Sequence, residues 1–323
     1  MNYTAFKNKF KDSFLDYMPQ KYQALGVSIA KVSKVNQTLD GFTLIFPDDS
    51  NYASPLIYLN QIYDDYLENK DFETVMRKSA NAMSSALDNY AIEIKNKSKE
   101  LLNINYFREN VVCQLINATD NQELLNELPH IATCDLAMIC RIILHCNNNS
   151  LSAVMVNHNI IEHLGITEDE LFKIANRNTL RLFPPKLRKL SEVLENMLTT
   201  QNDLHSEDIC SAIKANDLDN TIQMYVLGSS TGSFGACYMT CSEILQPLAD
   251  KLNSNLFILP SSIHEVILIS ESFCDANHLS ECVKFVNDNH VPIDEKLSDS
   301  VYFYDRISKE ISIASSLSTQ KQS

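Results

Sequence analysis

The chain has no Trp and only 6 Gly in 323 residues. So few glycines leave little material for the Gly-rich loops that cradle phosphates. No P-loop or dinucleotide fingerprint occurs. That removes the commonest sequence signatures of nucleotide hydrolysis and hydride transfer. No apolar run approaches the ~20 residues a membrane-spanning helix needs. Residues 1–17 alternate Lys with aromatics and lack a continuous apolar core, so they do not read as a secretory signal. Basic charge is short as well: 27 Lys and Arg stand against 41 Asp and Glu, a net −14. An acidic chain is disfavoured as a nonspecific binder of nucleic acid or anionic lipid. The nine Cys are odd in number and show no repeated short spacing. A secreted disulfide framework is therefore not expected, and a reduced, cytoplasmic setting fits better.

What is present is ordinary core material. Hydrophobic residues make up 45% of the chain, with 14 Phe and 13 Tyr, enough for a sizeable core and two domains. Charge is uneven. Residues 1–100 hold 12 basic against 13 acidic residues, and the remainder 15 against 28. Such an acidic second part could mimic nucleic acid towards a basic partner.

Along the chain, Phe6, Phe10, Phe14 and Tyr17 recur at helical spacing. Alternation over 26–34, a polar turn at Asn36-Gln37-Thr38 and a second strand over 41–46 predict a hairpin. A loop over 47–54, a short strand at 56–59 and helices over 61–68 and 71–96 follow, with Asp71 as N-cap. Residues 97–105 are polar and mark a domain boundary. Strands are predicted over 111–116, 134–146 and 152–156, the last two forming a hairpin around Asn147-Asn148-Asn149-Ser150. Alternate positions from Cys134 to Cys146 form an unbroken apolar face. A helix from about Asn159 ends at Gly165, which tolerates positive φ. The next opens at Thr167-Glu168-Asp169-Glu170, a capping box with Thr167 and Glu170 as the reciprocal pair, and ends at Pro184-Pro185. Strands over 222–227 and 233–238, a helix over 242–252, two strands around Pro260, a helix over 276–289 and strands near 301–304 and 311–314 complete the pattern. Hairpins punctuated by helices, without strict βαβ alternation, predict an α+β fold with antiparallel sheets and flanking helices. The expected modules are residues 1–100 and 105–315, with a disordered tail over 316–323.

The chemistry-bearing residues gather in a few places. The richest is the turn holding Ser261, Ser262, His264 and Glu265 between two apolar runs. Nucleophilic catalysis needs a hydroxyl beside an imidazole and a carboxylate orienting that imidazole. The residue types are present, but adjacent strand positions put His264 and Glu265 on opposite faces. A tight β-connection, with Pro fixing φ and Ser hydroxyls bonding backbone, is the plainer reading. The second place is a basic segment of Arg177, Arg181, Lys186, Arg188 and Lys189 without an intervening acid. It could fork onto a carboxylate or phosphate, or it could be a helix C-terminus followed by a solvated linker. Cys134, Cys140 and Cys146 span roughly 20 Å if extended, too far to share one zinc at about 2.3 Å from each sulfur. They read as buried small hydrophobes, and no metal site is expected. The pairs Cys237/Cys241 and Cys274/Cys282 carry no spacing that fixes convergence. The Gly228–Gly235 stretch lacks the P-loop Lys and reads as a hairpin loop. Tyr58, Tyr63, Tyr66 and Phe72 read as a half-buried core edge, with an interface as the alternative.

Several phrases carry a resemblance. They are Tyr58-Leu59-Asn60, Leu128-Pro129-His130, Asp135-Leu136-Ala137, Gly165-Ile166-Thr167-Glu168-Asp169-Glu170-Leu171, Leu182-Phe183-Pro184-Pro185, Met224-Tyr225-Val226-Leu227 and, most distinctive, Leu259-Pro260-Ser261-Ser262-Ile263-His264-Glu265-Val266. The set resembles an uncharacterised family from gut Firmicutes known only as a domain of unknown function, over nearly the whole chain. The resemblance implies a cytosolic bacterial or phage-associated origin and carries no reaction, cofactor or catalytic residue. The second half is also similar to another uncharacterised bacterial family with a Pro-Ser-Arg-Asp turn at the matching place. Here the Arg is absent, so no role of it carries over.

The first reading is a non-enzymatic cytosolic interaction or regulatory protein with a protein partner and no cofactor. Its recognition surface would lie near the 260–265 turn or the 177–189 segment. Direct nucleic-acid binding and membrane association are not expected. The alternatives are a hydrolase-like enzyme using Ser262 or Ser261 with His264, and an acidic nucleic-acid-mimicking inhibitor.

Overall fold

The computed structural model describes residues 1–47, 55–101, 103–147, 150–200, 224–260, 262–273 and 276–314. The predicted tail, the predicted loop over 48–54, the Asn148-Asn149 turn, Ser261, Cys274 and the start of the strand predicted over 222–227 lie outside them. The fold is α+β, with three sheets that are antiparallel throughout. The chain divides into two compact units, Met1–Phe107 and Arg108–Ser323.

In the first unit, α1 (Tyr3–Ser13) starts where Asn2 accepts the Ala5 amide at 2.9 Å. Phe6, Phe10 and Phe14 repeat every four residues and are fully buried. Phe10 and Phe14 meet Phe42 of the sheet at 5.2 and 4.6 Å between ring centroids, and Phe6 packs on Phe10 and Phe72. Aromatic burial of this kind dominates a small core. The sheet is β1 (Gly26–Lys34), β2 (Gln37–Ile45) and β3 (Leu56–Tyr58), in that order. The turn is tighter than the polar triplet suggests. Lys34 pairs with Gln37, and Asn36 takes φ 60°, as a two-residue hairpin requires. Gly41 is needed because a Cβ there would lie 2.7 Å from Val32 and 2.9 Å from Leu56 side-chain carbons. Two helices, α2 (Leu59–Asn69) and α3 (Phe72–Leu101), complete the unit. Asp71 caps α3 by accepting the Glu73 amide at 3.0 Å and the Thr74 amide at 3.3 Å. Tyr63, Tyr66 and Phe72 are partly buried against the Phe core, so they form its edge.

The second unit begins within α4 (Ile104–Asn110). One sheet has β6 (Leu136–Asn147) at its centre. It pairs with β4 (Val111–Asn117) on one edge, and with β5 (Ile131–Thr133) and β7 (Ser150–Met155) at successive stretches of the other. A short helix, α5 (Gln122–Leu125), lies between β4 and β5. The predicted strand start at Cys134 is a correction. Cys134 adopts φ 55° in the turn before β6 and is exposed. The continuous apolar face also fails at its far end, where the register shifts between Ile143 and His145 and Cys146 is exposed. Next come α6 (His158–Leu164), closed by Gly165 at φ 65°, and α7 (Glu168–Leu182). Thr167 caps α7 by accepting the Glu170 amide at 3.2 Å. The Glu170 carboxylate does not reach back; it pairs with Arg108 at 2.6 Å.

The third sheet runs β13 (Ile311–Ile313), β12 (Tyr302–Tyr304), β10 (Leu256–Pro260), β11 (Val266–Ser270), β9 (Met224–Ser229), β8 (Pro185–Lys189). Every residue of β10 is buried, so both sheet faces are covered there, which explains its unbroken apolar run. Around it lie α8 (Leu190–Thr200), α9 (Ser242–Leu252) and α10 (Ala276–His290); α10 packs Leu279 and Val283 on Phe257, Leu259 and Phe303. Two predictions fail here. The basic residues after Pro184 are not a linker but strand β8, paired with β9 from Pro185↔Ser229 to Lys189↔Tyr225. Proline can open such an edge strand because its missing N–H is not needed there. The strand predicted over 233–238 is a 3-10 helix, Gly235–Thr240, so the Gly-rich stretch is not a hairpin loop. Phe234 turns the chain with φ 56°. Gly235 then lies so close to β9 that a Cβ would fall 2.5 Å from the Gly228 carbonyl carbon. The apolar run that mimics a strand is buried as a compact turn instead.

A carboxylate ties the two sheets of this unit together. Asp135 accepts from Ser298 and Ser300 at 2.9 Å each and from the Tyr302 hydroxyl at 2.6 Å. Burial, with that carboxylate beside it, pushes the Tyr302 hydroxyl pKa well up.

Candidate functional site

The β10–β11 hairpin closes with Pro260 opposite Val266, leaving residues 261–265 as its tip. The tip is held by its own polar groups. The Ser262 amide donates to the Glu265 carbonyl at 3.2 Å, and the Ser262 hydroxyl accepts the His264 amide at 3.0 Å. The buried Ile263 pins the turn from below, its amide donating to the Glu295 carbonyl at 2.9 Å. Ser and Pro here serve backbone geometry, as turn residues do.

His264 is engaged at both nitrogens. Nδ1 accepts the Phe234 amide at 3.3 Å, and Nε2 lies 3.6 Å from a Glu295 carboxylate oxygen. The imidazole also stacks on the Phe234 ring, 6.2 Å between centroids. A ring nitrogen that accepts an amide proton carries none of its own, so the proton resides on Nε2, facing Glu295. The carboxylate beside His264 is thus Glu295, and Glu265 points elsewhere, 3.5 Å from Arg188 Nη2. Glu265 also covers Gly228, its Cβ 3.2 Å from where a Cβ on that glycine would stand. No hydrogen bond joins the Ser262 hydroxyl to an imidazole nitrogen among the described residues.

The Arg188–Glu265 pair brings together the two places that stand out in the sequence. Strand β8 carries Lys186, Arg188 and Lys189 to the sheet edge, and β9 separates it from β11. The other basic residues diverge. Arg181 donates to the Glu109 carbonyl at the end of α4 and to Asn178. Arg177 and Lys186 are exposed. The segment is therefore two separate pieces, the end of α7 and the edge strand.

On the α10 side of the same hairpin lies an apolar cavity of 180 Å³, lined by Leu259, Pro260, Ile267, Cys282, Val283 and Val286. Beside it on α10, Phe285 is 64% exposed. Nothing in the sequence announces this groove, because its lining comes from a hairpin and a helix that share no pattern.

None of the described cysteines forms a disulfide. Of the three thought to be buried hydrophobes only Cys140 is buried; Cys134 and Cys146 are exposed. Cys140 faces Cys113 across the β4–β6 ladder, and burial with that neighbour pushes its thiol pKa well above the usual value. Burial likewise raises Cys237 and Cys241. Among the described residues no group of three His, Cys, Asp or Glu side chains could hold a metal ion, and no helix is long and apolar enough to cross a membrane.

A model of a family of unknown function, DUF5688, matches residues 3–306, and the chain belongs to that family. No curated protein and no solved structure matches it.

Proposed function

We propose that this member of a family without a known activity is a non-enzymatic interaction protein of the bacterial cytoplasm. Its recognition surface is the hairpin tip with the Arg188 edge strand, and its partner is another protein. The observation that carries the reading is the engagement of the reactive groups. The Ser262 oxygen is used by its own turn, and both His264 nitrogens have partners. A general base needs a free nitrogen within hydrogen-bond reach of the nucleophile, and among the described residues His264 offers Ser262 no such nitrogen. The partly exposed Arg188–Glu265 pair and the apolar groove beside Pro260 offer the mixture of charge and apolar contact on which protein recognition relies. Unpaired thiols suit a reducing compartment, and the acidic balance disfavours direct nucleic-acid binding.

The test is capture of the tagged chain from its source lysate with and without nuclease, compared with Arg188→Ala and Glu265→Ala. A stoichiometric protein that survives nuclease and is lost with either substitution supports the reading. Ester or amide hydrolysis that disappears in His264→Ala contradicts it.

A further inference from the structure

A second feature of the Arg108–Ser323 unit adjoins that surface through Phe234, which stacks on His264, but does not depend on what the surface recognises. Strand β6 is apolar from Leu136 to Ile143 except for Arg141. Its neighbours in register are Val112 on β4 and Met155 on β7, so a guanidinium emerges from the middle of a sheet. Its Nε donates to the Gln114 side-chain oxygen, and its plane lies 5.9 Å from the centre of the Phe234 ring. No carboxylate pairs with it among the described residues. Burial pushes its pKa down to about 10, the direction expected of a cation withdrawn from water without a counter-ion.

Gln114 compounds the anomaly. It is fully buried, and its amide nitrogen has no hydrogen-bond partner. Proteins pair nearly all buried polar groups and almost every buried charge. Here one exception, the Gln114 amide, touches a half-buried cation with no carboxylate beside it among the described residues. An ordered water would satisfy the Gln114 amide but leave the cation unbalanced. An anion accepting from the Gln114 amide and the Arg141 terminal nitrogens would resolve both, with the Gln114 oxygen and the Phe234 face fixing the plane of the fork.

The surroundings select the anion. Val112, Ile143, Phe183 and Phe234 form an apolar cluster on this face of the sheet. With one guanidinium and no second cation bonded to it, a monoanion balances the charge and a phosphate dianion does not. Phe183 and Phe234 are 1% and 5% exposed, so the apolar wall is closed and the head group carries the recognition. We propose that Arg141 and Gln114 form a binding site for a small monocarboxylate, its head on the two side chains.

The experiment is titration of the full chain with butyrate at constant ionic strength, followed by calorimetry, with butanol and inorganic phosphate as competitors. Saturable butyrate binding that neither competitor displaces is the expected result. Arg141→Met should weaken it about tenfold or more, since hydrogen bonds to a charged group are lost. Gln114→Glu keeps the side-chain size and supplies an internal carboxylate to the guanidinium. It should abolish butyrate binding while raising the Tm, so a loss of binding there is not a loss of fold. Absence of saturable binding to the unaltered chain, or butyrate affinity unchanged in Gln114→Glu, overturns the assignment.

Discussion

Asp40 offers the sharpest quantitative check on the first unit. Its side chain is 3% exposed, accepts the Tyr3 hydroxyl at 2.7 Å, and lies 3.3 Å from Lys7 Nζ and 3.1 Å from Lys31 Nζ. Asp40→Asn keeps the shape and removes the charge. The lysines are 29% and 66% exposed, so water screens much of their attraction, and each pair contributes roughly 0.5 kcal/mol. The hydroxyl bond to a charged acceptor is worth about 1 kcal/mol more than one to a neutral acceptor. The substitution should therefore cost about 2 kcal/mol near neutral pH. Burial raises the Asp40 pKa, but the Tyr3 hydroxyl and the two ammonium groups outweigh it, and the net shift is below the ordinary 3.8. A carboxylate with a depressed folded pKa adds stability that is complete above its unfolded pKa and disappears as pH falls through the folded one. The penalty of Asp40→Asn should thus be full at pH 7 and shrink below pH 4. Hydrogen exchange of the α1 and β2 amides reads this locally, which matters in a chain of two units. An equal penalty at pH 7 and at pH 3, or none at pH 7, refutes the reasoning.

Other substitutions separate structural from recognition roles. Gly235→Ala should destabilise by about 3 kcal/mol or more, because its new methyl meets the β9 backbone rather than a side chain that can move; thermal unfolding measures it. Tyr302→Phe should cost about 1–3 kcal/mol in urea denaturation, through the lost bond to Asp135. Glu265→Gln should change stability by less than about 1 kcal/mol, because Arg188 and Glu265 are each about one-third exposed, and a large loss would reveal a structural rather than a recognition role.

Local signals were legible in the sequence and distant ones were not. The four-residue Phe spacing places α1 and its buried face, Asp71 and Thr167 cap their helices, and Gly165 closes α6, because each depends on neighbours in the chain. Glu170 shows where such reasoning ends: a capping box needs its carboxylate at home, but Arg108, 62 residues away, takes it. Strand β8 reads as a linker because charge suggests solvent, yet an edge strand tolerates charge on its exposed positions. The 3-10 helix at 235–240 reads as a strand because full burial erases the pattern that separates the two. At the site, Glu295 and Phe234 lie about thirty residues either side of His264, and nothing local announces them. Arg141 did carry a signal, as the one full charge in an apolar strand, and such a residue calls for a partner before a strand is taken as core alone.

The central claim is that the hairpin tip recognises a protein and performs no chemistry. A photo-activatable cross-linker in place of the exposed Lys186, on the edge strand beside Arg188, tests it most directly, in the source cells, with the same cross-linker at exposed Lys11 as the control. The account predicts one discrete protein adduct from position 186 and none from position 11. The same pattern of adducts from both positions, or none from position 186, contradicts it.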